Sequence, residues 1–373
     1  MSQSFLAHLV GGALVATLCA SSAWAQIRIG QPSGFTGAVA PGVKENTDGA
    51  KLYIDAVNAR GGVNGQKIEL VSVDDKFDPK VTVEVGRKLI TEDKVIALFM
   101  NRGTPHSQAL IPLIEEFKIP LVAPSTGAMV LHEPVNPLIF NVRATYQREA
   151  EKAIQHLATI GITRIGILQT DDSFGADSVL GALRGLEKAQ LKPLFLEKLN
   201  RAKPDLAGLA AVVAKNQPQA VIFIASAGTV AAGTKAIREA GSRAQVVTLS
   251  NNASGGFIKL LGEHARGVIV TQVFPYERSL SAPIVKEAAD LARAKGVPEV
   301  TPAMLEGFAG AKVLVEGLRR AGPNPTPARL TQALEGLRRY DIGGLEITYG
   351  PNNRSGLDYA DLSIIGPDGK FRR

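Results

Sequence analysis

The sequence alternates short runs of β-branched and apolar residues with amphipathic stretches of helical length, and this alternation strongly constrains the fold. Early runs with strand character are Ile27–Gly30, Ile68–Val73 and Val95–Met100, and a helical pattern from about Asn46 to Arg60 ends at two glycines. Later strands are predicted at Ile119–Ala123, Arg164–Gln169, Leu194–Lys198, Ala220–Ala225, Gln245–Leu249 and Gly267–Gln272. Because strands separated by helices pair in parallel through right-handed crossovers, the pattern predicts an α/β fold whose sheets are covered on both faces.

An internal similarity recurs at a constant offset of 125 residues. The segment Val95–Thr104 corresponds to Ala220–Thr229, and in both a strand leads to a Gly-Thr pair at which a helix begins. Ser125 and Ser250 correspond in the same way, each after the following strand. One interpretation is that any two strand–helix–strand units look alike. The other is two similar lobes whose strand ends face a cleft, where hydroxyls and free backbone N–H groups would suit a carboxylate.

The first 25 residues have the pattern of a signal peptide. An apolar stretch from Leu6 to Ala20 precedes Ala23-Trp24-Ala25, which has the small-x-small form of a cleavage site. No Lys or Arg precedes the stretch, so an uncleaved anchor is the alternative, while Leu18 disfavours lipoprotein processing at Cys19. We expect cleavage after Ala25 and a soluble, periplasmic mature protein, because no later apolar run is long enough to span a membrane.

The sequence offers no pattern for catalysis, for a metal or for a cofactor. Phosphate-loop, serine-hydrolase and zinc-protease motifs are absent, and the histidines are scattered without metal-ligand spacing. The adjacent carboxylates Asp74-Asp75 and Asp171-Asp172 are interpreted as turns or helix caps. The net charge of +7 comes from 42 basic and 35 acidic residues spread along the chain, so we expect no nucleic-acid partner.

A resemblance to a known family is carried by motifs spread over nearly the whole chain after residue 25. These motifs are the Gly-rich loop after the first strand, Asp55–Gly65, Val73–Pro79, Gly103–Pro105, Ala123–Gly127, Phe140–Arg143 and Asp171–Gly175. In this order they resemble the leucine/isoleucine/valine-binding family of type I periplasmic solute-binding proteins, which serve ABC importers.

The resemblance implies an α/β architecture of two doubly wound parallel-sheet lobes joined by a three-crossover hinge. Residues 26–145 and 275–350 would form the N-terminal lobe, and residues 146–274 and 351–373 the C-terminal lobe. The resemblance also implies that a ligand is trapped between the lobes and delivered to an ABC permease in the inner membrane. We expect a monomer.

The resemblance also implies ligand-binding residues. Thr104 corresponds to a hydroxyl that binds the ligand carboxylate, Ser125, Thr126 and Gly127 to a loop beside the ligand, and Phe174 to an aromatic lid. Further candidates are Asn251 after the second-lobe strand, and Phe35 and Tyr146 as wall residues. The alternatives are structural: Ser125 and Thr126 as helix caps, and Phe174 as a core residue.

The sequence departs from the family where amino-acid binders place a carboxylate against the ligand ammonium. Ser250-Asn251-Asn252-Ala253 contains no acid there. A buried ammonium without a counter-charge is costly, so a carboxylate without an ammonium group, such as an aromatic or 2-oxo acid, is favoured over an amino acid. Asp171 or Asp172 is the alternative source of an acid.

The sequence therefore predicts the solute-binding component of an ABC importer of the branched-chain amino acid type. A ligand sensor of the same fold, coupled to a receptor or regulator, is the alternative. An enzyme on the same scaffold is disfavoured because no nucleophile–base set is present.

Overall fold

The structure is a computed structural model that describes residues 26–373, and it contains two open sheets. The predicted signal peptide, residues 1–25, lies outside the described residues. The strands are β1 Ile27–Ser33, β2 Ile68–Asp74, β3 Leu98–Phe99, β4 Leu121–Val122, β5 Ile139–Phe140, β6 Ile165–Thr170, β7 Leu196–Leu199, β8 Ala220–Ile224, β9 Gln245–Thr248, β10 Ile269–Gln272, β11 Tyr340–Asp341, β12 Glu346–Ile347, β13 Asp361–Ile365 and β14 Phe371–Arg372. The α-helices are α1 Ala40–Ala59, α2 Pro79–Thr91, α3 Thr104–Phe117, α4 Tyr146–Thr159, α5 Ser173–Lys188, α6 Leu206–Asn216, α7 Ala227–Glu239, α8 Gly255–Leu261, α9 Pro283–Ala294, α10 Pro302–Ala321 and α11 Pro327–Glu335.

The first sheet is parallel, with strand order β2-β1-β3-β4-β5. One face packs on α1 and α10 through buried side chains such as Ile29, Phe99 and Phe308. The other face packs on α2 and α3, where Leu89 and Leu110 are buried. Burial on both faces explains why the central strands β3 and β4, and β5 beside them, consist of apolar residues.

The second sheet has strand order β14-β13-β10-β9-β8-β6-β7. The five strands from β10 to β7 are parallel, with β7 at one edge, while β13 and β14 add antiparallel strands at the other edge. Helices α4 and α5 cover one face and α6, α7 and α8 the other. The expected α/β architecture with parallel sheets is therefore confirmed. A two-stranded hairpin of β11 and β12 completes the described strands.

The chain passes between the sheets three times: after β5, after β10 and after β12. The first and third connections are hydrogen-bonded to each other, because Asn141 N donates to Arg354 O (2.9 Å) and Leu357 N donates to Val142 O (3.0 Å). The sequence also predicts the residues at which each lobe begins and ends, and those boundaries stay a prediction. Of the helices within residues 26–373, none combines the length and apolar character that a membrane span requires.

Helices α1 and α10 cross so closely that their backbones touch at two glycines. A Cβ atom on Gly49 would lie 1.9 Å from the carbonyl oxygen of Met304, and one on Gly307 would lie 1.8 Å from that of Asn46. Real Cβ atoms do not approach a carbonyl oxygen so closely, so this crossing requires glycine on both helices. The two helices are thereby fixed to each other and to the first sheet.

We expect Gly307→Ala to destabilise the protein by about 2–3 kcal/mol, because the added methyl group forces α1 and α10 apart in a packed core. Urea unfolding measures the loss. Gly336→Ala is the matched control, because Gly336 has φ −77° and its added Cβ would make only ordinary contacts at 3.5 Å. The control should change the free energy of unfolding by less than about 0.5 kcal/mol. Equal stabilities for the two variants would contradict this account of the helix crossing.

Candidate functional site

The carboxyl ends of the parallel strands of both sheets face a cavity between the sheets. The segments after β1, β2 and β3 contribute from the side of the first sheet, and those after β6, β7, β8 and β9 from the side of the second sheet. Tyr146 contributes from the first connection between the sheets, after β5. The residues that line the cavity are Val39, Phe77, Arg102, Gly103, Thr104, Tyr146, Phe174, Arg201, Ser226 and Asn251. This is the edge at which open parallel sheets bind ligands.

The two sides are in close contact, and the cavity measures about 20 Å³, room for about one water molecule. Glu45 of α1 accepts hydrogen bonds across the gap from the backbone N–H groups of Gly255 and Gly256 on α8 (3.0 and 2.8 Å). Ala303 N of α10 donates to Ala253 O (3.0 Å). The structure therefore shows a closed arrangement, and a ligand of amino-acid size requires the two sides to separate.

Thr104, Ser125 and Thr126 lie together in the segments that follow the neighbouring strands β3 and β4. Thr104 begins α3 after Gly103, whose φ of +100° favours glycine. Its Oγ1 lies 2.8 Å from Oγ1 of Thr126, and both residues are buried. Ser125 N donates to Asn101 O (2.8 Å), which joins the loop after β4 to the loop after β3.

Gly127 and Tyr146 connect this loop to the first crossover. Tyr146 N donates to Gly127 O (2.8 Å), and a Cβ on Gly127 would lie 2.6 Å from Ala144 O. Gly127 itself does not line the cavity, so its contribution there is close packing. Tyr146 does line it, edge-to-face with Phe174 at 4.9 Å between ring centroids.

The aromatic wall on the first side is Phe77. It lines the cavity and stacks on the buried His106, with ring centroids 4.1 Å apart. Phe35 is half-buried and does not line the cavity, although its backbone N–H donates to Asp74 Oδ1 (2.8 Å). On the second side, Asn251 donates from Nδ2 to Ala225 O (3.0 Å) and presents its own carbonyl oxygen to the cleft.

Two arginines that sequence reasoning missed also line the cavity. Arg102 comes from the loop after β3 and Arg201 from the loop after β7. The guanidinium of Arg201 lies 5.3 Å from the centroid of the Phe77 ring, which belongs to the opposite side. A signal for Arg102 was present, because it is a charged residue inside the repeated segment, where its counterpart at offset 125 is Ala227.

Asp172, the alternative acid for a ligand ammonium, already has partners within the protein. It is the N-cap of α5, accepts hydrogen bonds from the backbone of Phe174 and Gly175, and forms an ion pair with Arg201. Burial opposes ionisation of Asp172, but the hydrogen bond and charge of Arg201 hold its pKa below the usual range. Asp171 instead forms an exposed ion pair with Lys198 (2.9 Å).

A buried charge cluster centred on Arg143 lies behind the cavity. Arg143 pairs with Glu149 and donates from Nη2 to Ser250 Oγ (2.8 Å), while Glu306 lies 3.9 Å from its Nη1. Glu149 also accepts from Ser250 N (2.9 Å) and from the hydroxyl of Thr271. Burial lowers the pKa of Arg143, but the Glu149 carboxylate outweighs this and raises that pKa above the usual range, so Arg143 stays charged.

The described part of the chain offers no assembled metal site. In residues 26–373, no three His, Cys, Asp or Glu side chains converge as metal ligands would. The cavity instead combines hydroxyls, amides, aromatic rings and guanidinium groups, a set suited to an organic anion.

Comparison with known proteins agrees with this architecture. The family model described as "Periplasmic binding protein" matches residues 26–359. The Leu/Ile/Val-binding protein of Escherichia coli (strain K12) is 23% identical over 270 residues, 72% of each chain. The leucine-, isoleucine-, valine-, threonine- and alanine-binding protein of Pseudomonas aeruginosa is 23% identical over 335 residues, 90% of this chain and 87% of that protein.

Solved structures of similar proteins also agree with this architecture. A substrate-binding periplasmic protein from Ralstonia solanacearum is 32% identical with a TM-score of 0.86, covering 93% of this chain and 99% of that one. A branched-chain amino acid ABC transporter protein from Thermus thermophilus, solved with bound valine, is 20% identical with a TM-score of 0.80. The match covers 93% of this chain and 95% of the Thermus chain. At 20% identity, this similarity supports the fold alone.

We expect Glu149→Gln to reduce the free energy of unfolding by about 3–5 kcal/mol, because it removes the carboxylate that contacts the buried charge of Arg143. Urea unfolding at neutral pH measures the loss. Glu116→Gln is the control, since Glu116 forms an exposed ion pair with Arg87 and its loss should leave stability nearly unchanged. A loss below about 1 kcal/mol for Glu149→Gln would contradict a structural role for the cluster.

Proposed function

This chain belongs to the periplasmic binding protein family, and from that premise we propose that it is the solute-binding component of an ABC importer of the branched-chain amino acid type. It would trap a small carboxylate-bearing ligand between its two lobes and present it, as a monomer, to an inner-membrane permease. The observation that carries the proposal is the composition of the cavity. Its ten lining residues include hydroxyls, three aromatic rings and two arginines, but no acid.

The binding roles follow from position around the cavity. Thr104 and Asn251 approach a ligand from opposite sides, and Phe174 and Tyr146 form an aromatic wall. Ser125 and Thr126 support the first side through hydrogen bonds to Arg102 and Thr104. Gly127 holds Tyr146 in place, and Phe35 would contact a ligand only in a more open arrangement.

The same composition favours a ligand without an ammonium group. The curated relatives are named for leucine and related amino acids, which are zwitterions near neutral pH. An ammonium in this cavity would meet Arg102 and Arg201, whereas Asp172 is paired with Arg201 and caps α5. Aromatic or 2-oxo monocarboxylates avoid that repulsion and fit the aromatic wall.

The cleavage site gives a direct test of export. If Ala23-Trp24-Ala25 is recognised, the protein recovered from the periplasm should begin at Gln26, and its intact mass should correspond to residues 26–373. Cleavage there removes the chain's only tryptophan, so tryptophan fluorescence should also be absent. Recovery of a chain that retains Trp24 would contradict the proposed site.

The ligand class is tested by calorimetry on matched pairs, phenylpyruvate against phenylalanine and 4-methyl-2-oxopentanoate against leucine. We expect the 2-oxo acid to bind more tightly in at least one pair. Thr104→Val keeps the side-chain shape and removes the hydroxyl, so it should weaken carboxylate binding by about 1.5–3 kcal/mol. Thr91→Val, at an exposed helix position whose hydroxyl donates only to Arg87 O, is the control. Amino acids that bind at least about tenfold more tightly in both pairs would contradict the proposal.

A further inference from the structure

Arg102 differs from the other arginines at the cleft in having no acidic partner. Within residues 26–373, no carboxylate oxygen lies within 4.0 Å of its guanidinium, whereas Arg143 pairs with Glu149 and Arg201 pairs with Asp172. Arg102 is nevertheless only 6% exposed. Since a buried cation without a counter-ion is costly, its position at the cavity calls for an anion.

The hydrogen bonds of Arg102 use only part of its donor set. Nη1 donates to Ser125 Oγ (2.9 Å) and to Asn46 Oδ1 (3.4 Å), and Nη2 donates to the carbonyl oxygen of Asn251. All three acceptors are neutral. A guanidinium has five N–H donors, so Nε–H and one Nη2–H make no hydrogen bond to residues 26–373. In a guanidinium, Nε and Nη2 share one edge, and a pair of N–H donors on such an edge can form the fork that matches a carboxylate.

Glu306 lies near Arg102 but does not occupy that edge. It is joined to Arg102 through Ser125, whose hydroxyl accepts from Arg102 and donates to Glu306 Oε1 (2.9 Å). Glu306 also lies 3.9 Å from Nη1 of Arg143, and it is not among the residues that line the cavity. The acid thus orients Ser125 and, through it, the guanidinium, without entering the cavity.

We propose that Arg102 is the residue that selects the ligand, by pairing with its carboxylate through the Nε/Nη2 edge and repelling an α-ammonium group. This inference rests on the proposed function and deepens it, because it gives the main carboxylate contact to Arg102 and a secondary one to Thr104. The same guanidinium bonds the Asn251 carbonyl on the opposite side. The guanidinium of Arg102 would therefore both bind the charged group of the ligand and connect the two sides of the cleft.

The test measures dissociation constants for phenylpyruvate, its uncharged methyl ester, 4-methyl-2-oxopentanoate, phenylalanine and leucine. Binding is measured for the wild type and for two variants of Arg102. Arg102→Met keeps an unbranched side chain but removes the charge, and Arg102→Lys keeps the charge but removes the forked pair of N–H donors. Arg87→Met is the matched control, because it removes an arginine from an exposed ion pair on α2. Thermal unfolding confirms that each variant is folded.

We expect Arg102→Met to weaken binding of the 2-oxo acids by about 30-fold or more and Arg102→Lys by about tenfold. Binding of the methyl ester should change by less than about threefold, and the preference for 2-oxo acids over amino acids should fall. Arg87→Met should behave as the wild type. If Arg102→Met does not fold, the test uses Arg102→Lys, which should bind the 2-oxo acids about tenfold more weakly and the methyl ester within about threefold of the wild type.

The contrary outcomes separate the two proposals. If the wild type binds a 2-oxo acid and the folded Arg102 variants bind it within about threefold, Arg102 does not select the ligand although the proposed function stands. If the variants lose the methyl ester and the acid equally, Arg102 is structural and the inference is wrong. If the wild type binds neither 2-oxo acid, or prefers the amino acids, the proposed ligand class fails and the inference falls with it.

Discussion

The buried pair of Arg143 and Glu149 is the interaction on which the geometry of the cleft depends. It lies where the chain first crosses from one sheet to the other, and both side chains are out of contact with water. Hydrogen bonds to the charged groups stabilise such a pair, and here Ser250 and Thr271 of the second side provide them. Nη1 of Arg143 makes no hydrogen bond to residues 26–373, and the Glu306 carboxylate of α10 lies 3.9 Å from it. Residues near the strand ends of both sheets thus contact one buried charge cluster.

Much of the fold could be predicted because its signals are local. Apolar runs separated by helical patterns gave the parallel sheets, and the repeat at offset 125 placed Thr104, Ser125 and Ser250 at strand ends. Local signals also misplaced boundaries: α1 begins at Ala40, because Pro41 suits a first helical turn, whereas the pattern suggested Asn46. The strand expected over Val95–Met100 pairs as β3 only at Leu98–Phe99.

The site was less predictable because its charges are balanced by partners far apart in the sequence. Arg102 meets Asn251 across 149 residues, and Ser125 meets Glu306 across 181. No spacing rule connects such positions, so an arginine in the sequence does not reveal whether it is paired with an acid or free to bind a ligand. Phe77 was missed for the same reason, since it reaches the cavity only because the loop after β2 folds towards α3.

The glycine contact between α1 and α10 has a mechanical consequence. The two helices carry groups that meet the opposite side, Glu45 on α1 and Ala303 on α10, and without intervening side chains they cannot slide past each other. If the cleft opens as proposed, the bending has to occur in the three connecting segments, because the glycine contact holds α1 and α10 together. Substitutions in the loops at the strand ends can consequently change the cavity lining without changing the contact that holds α1 and α10 together.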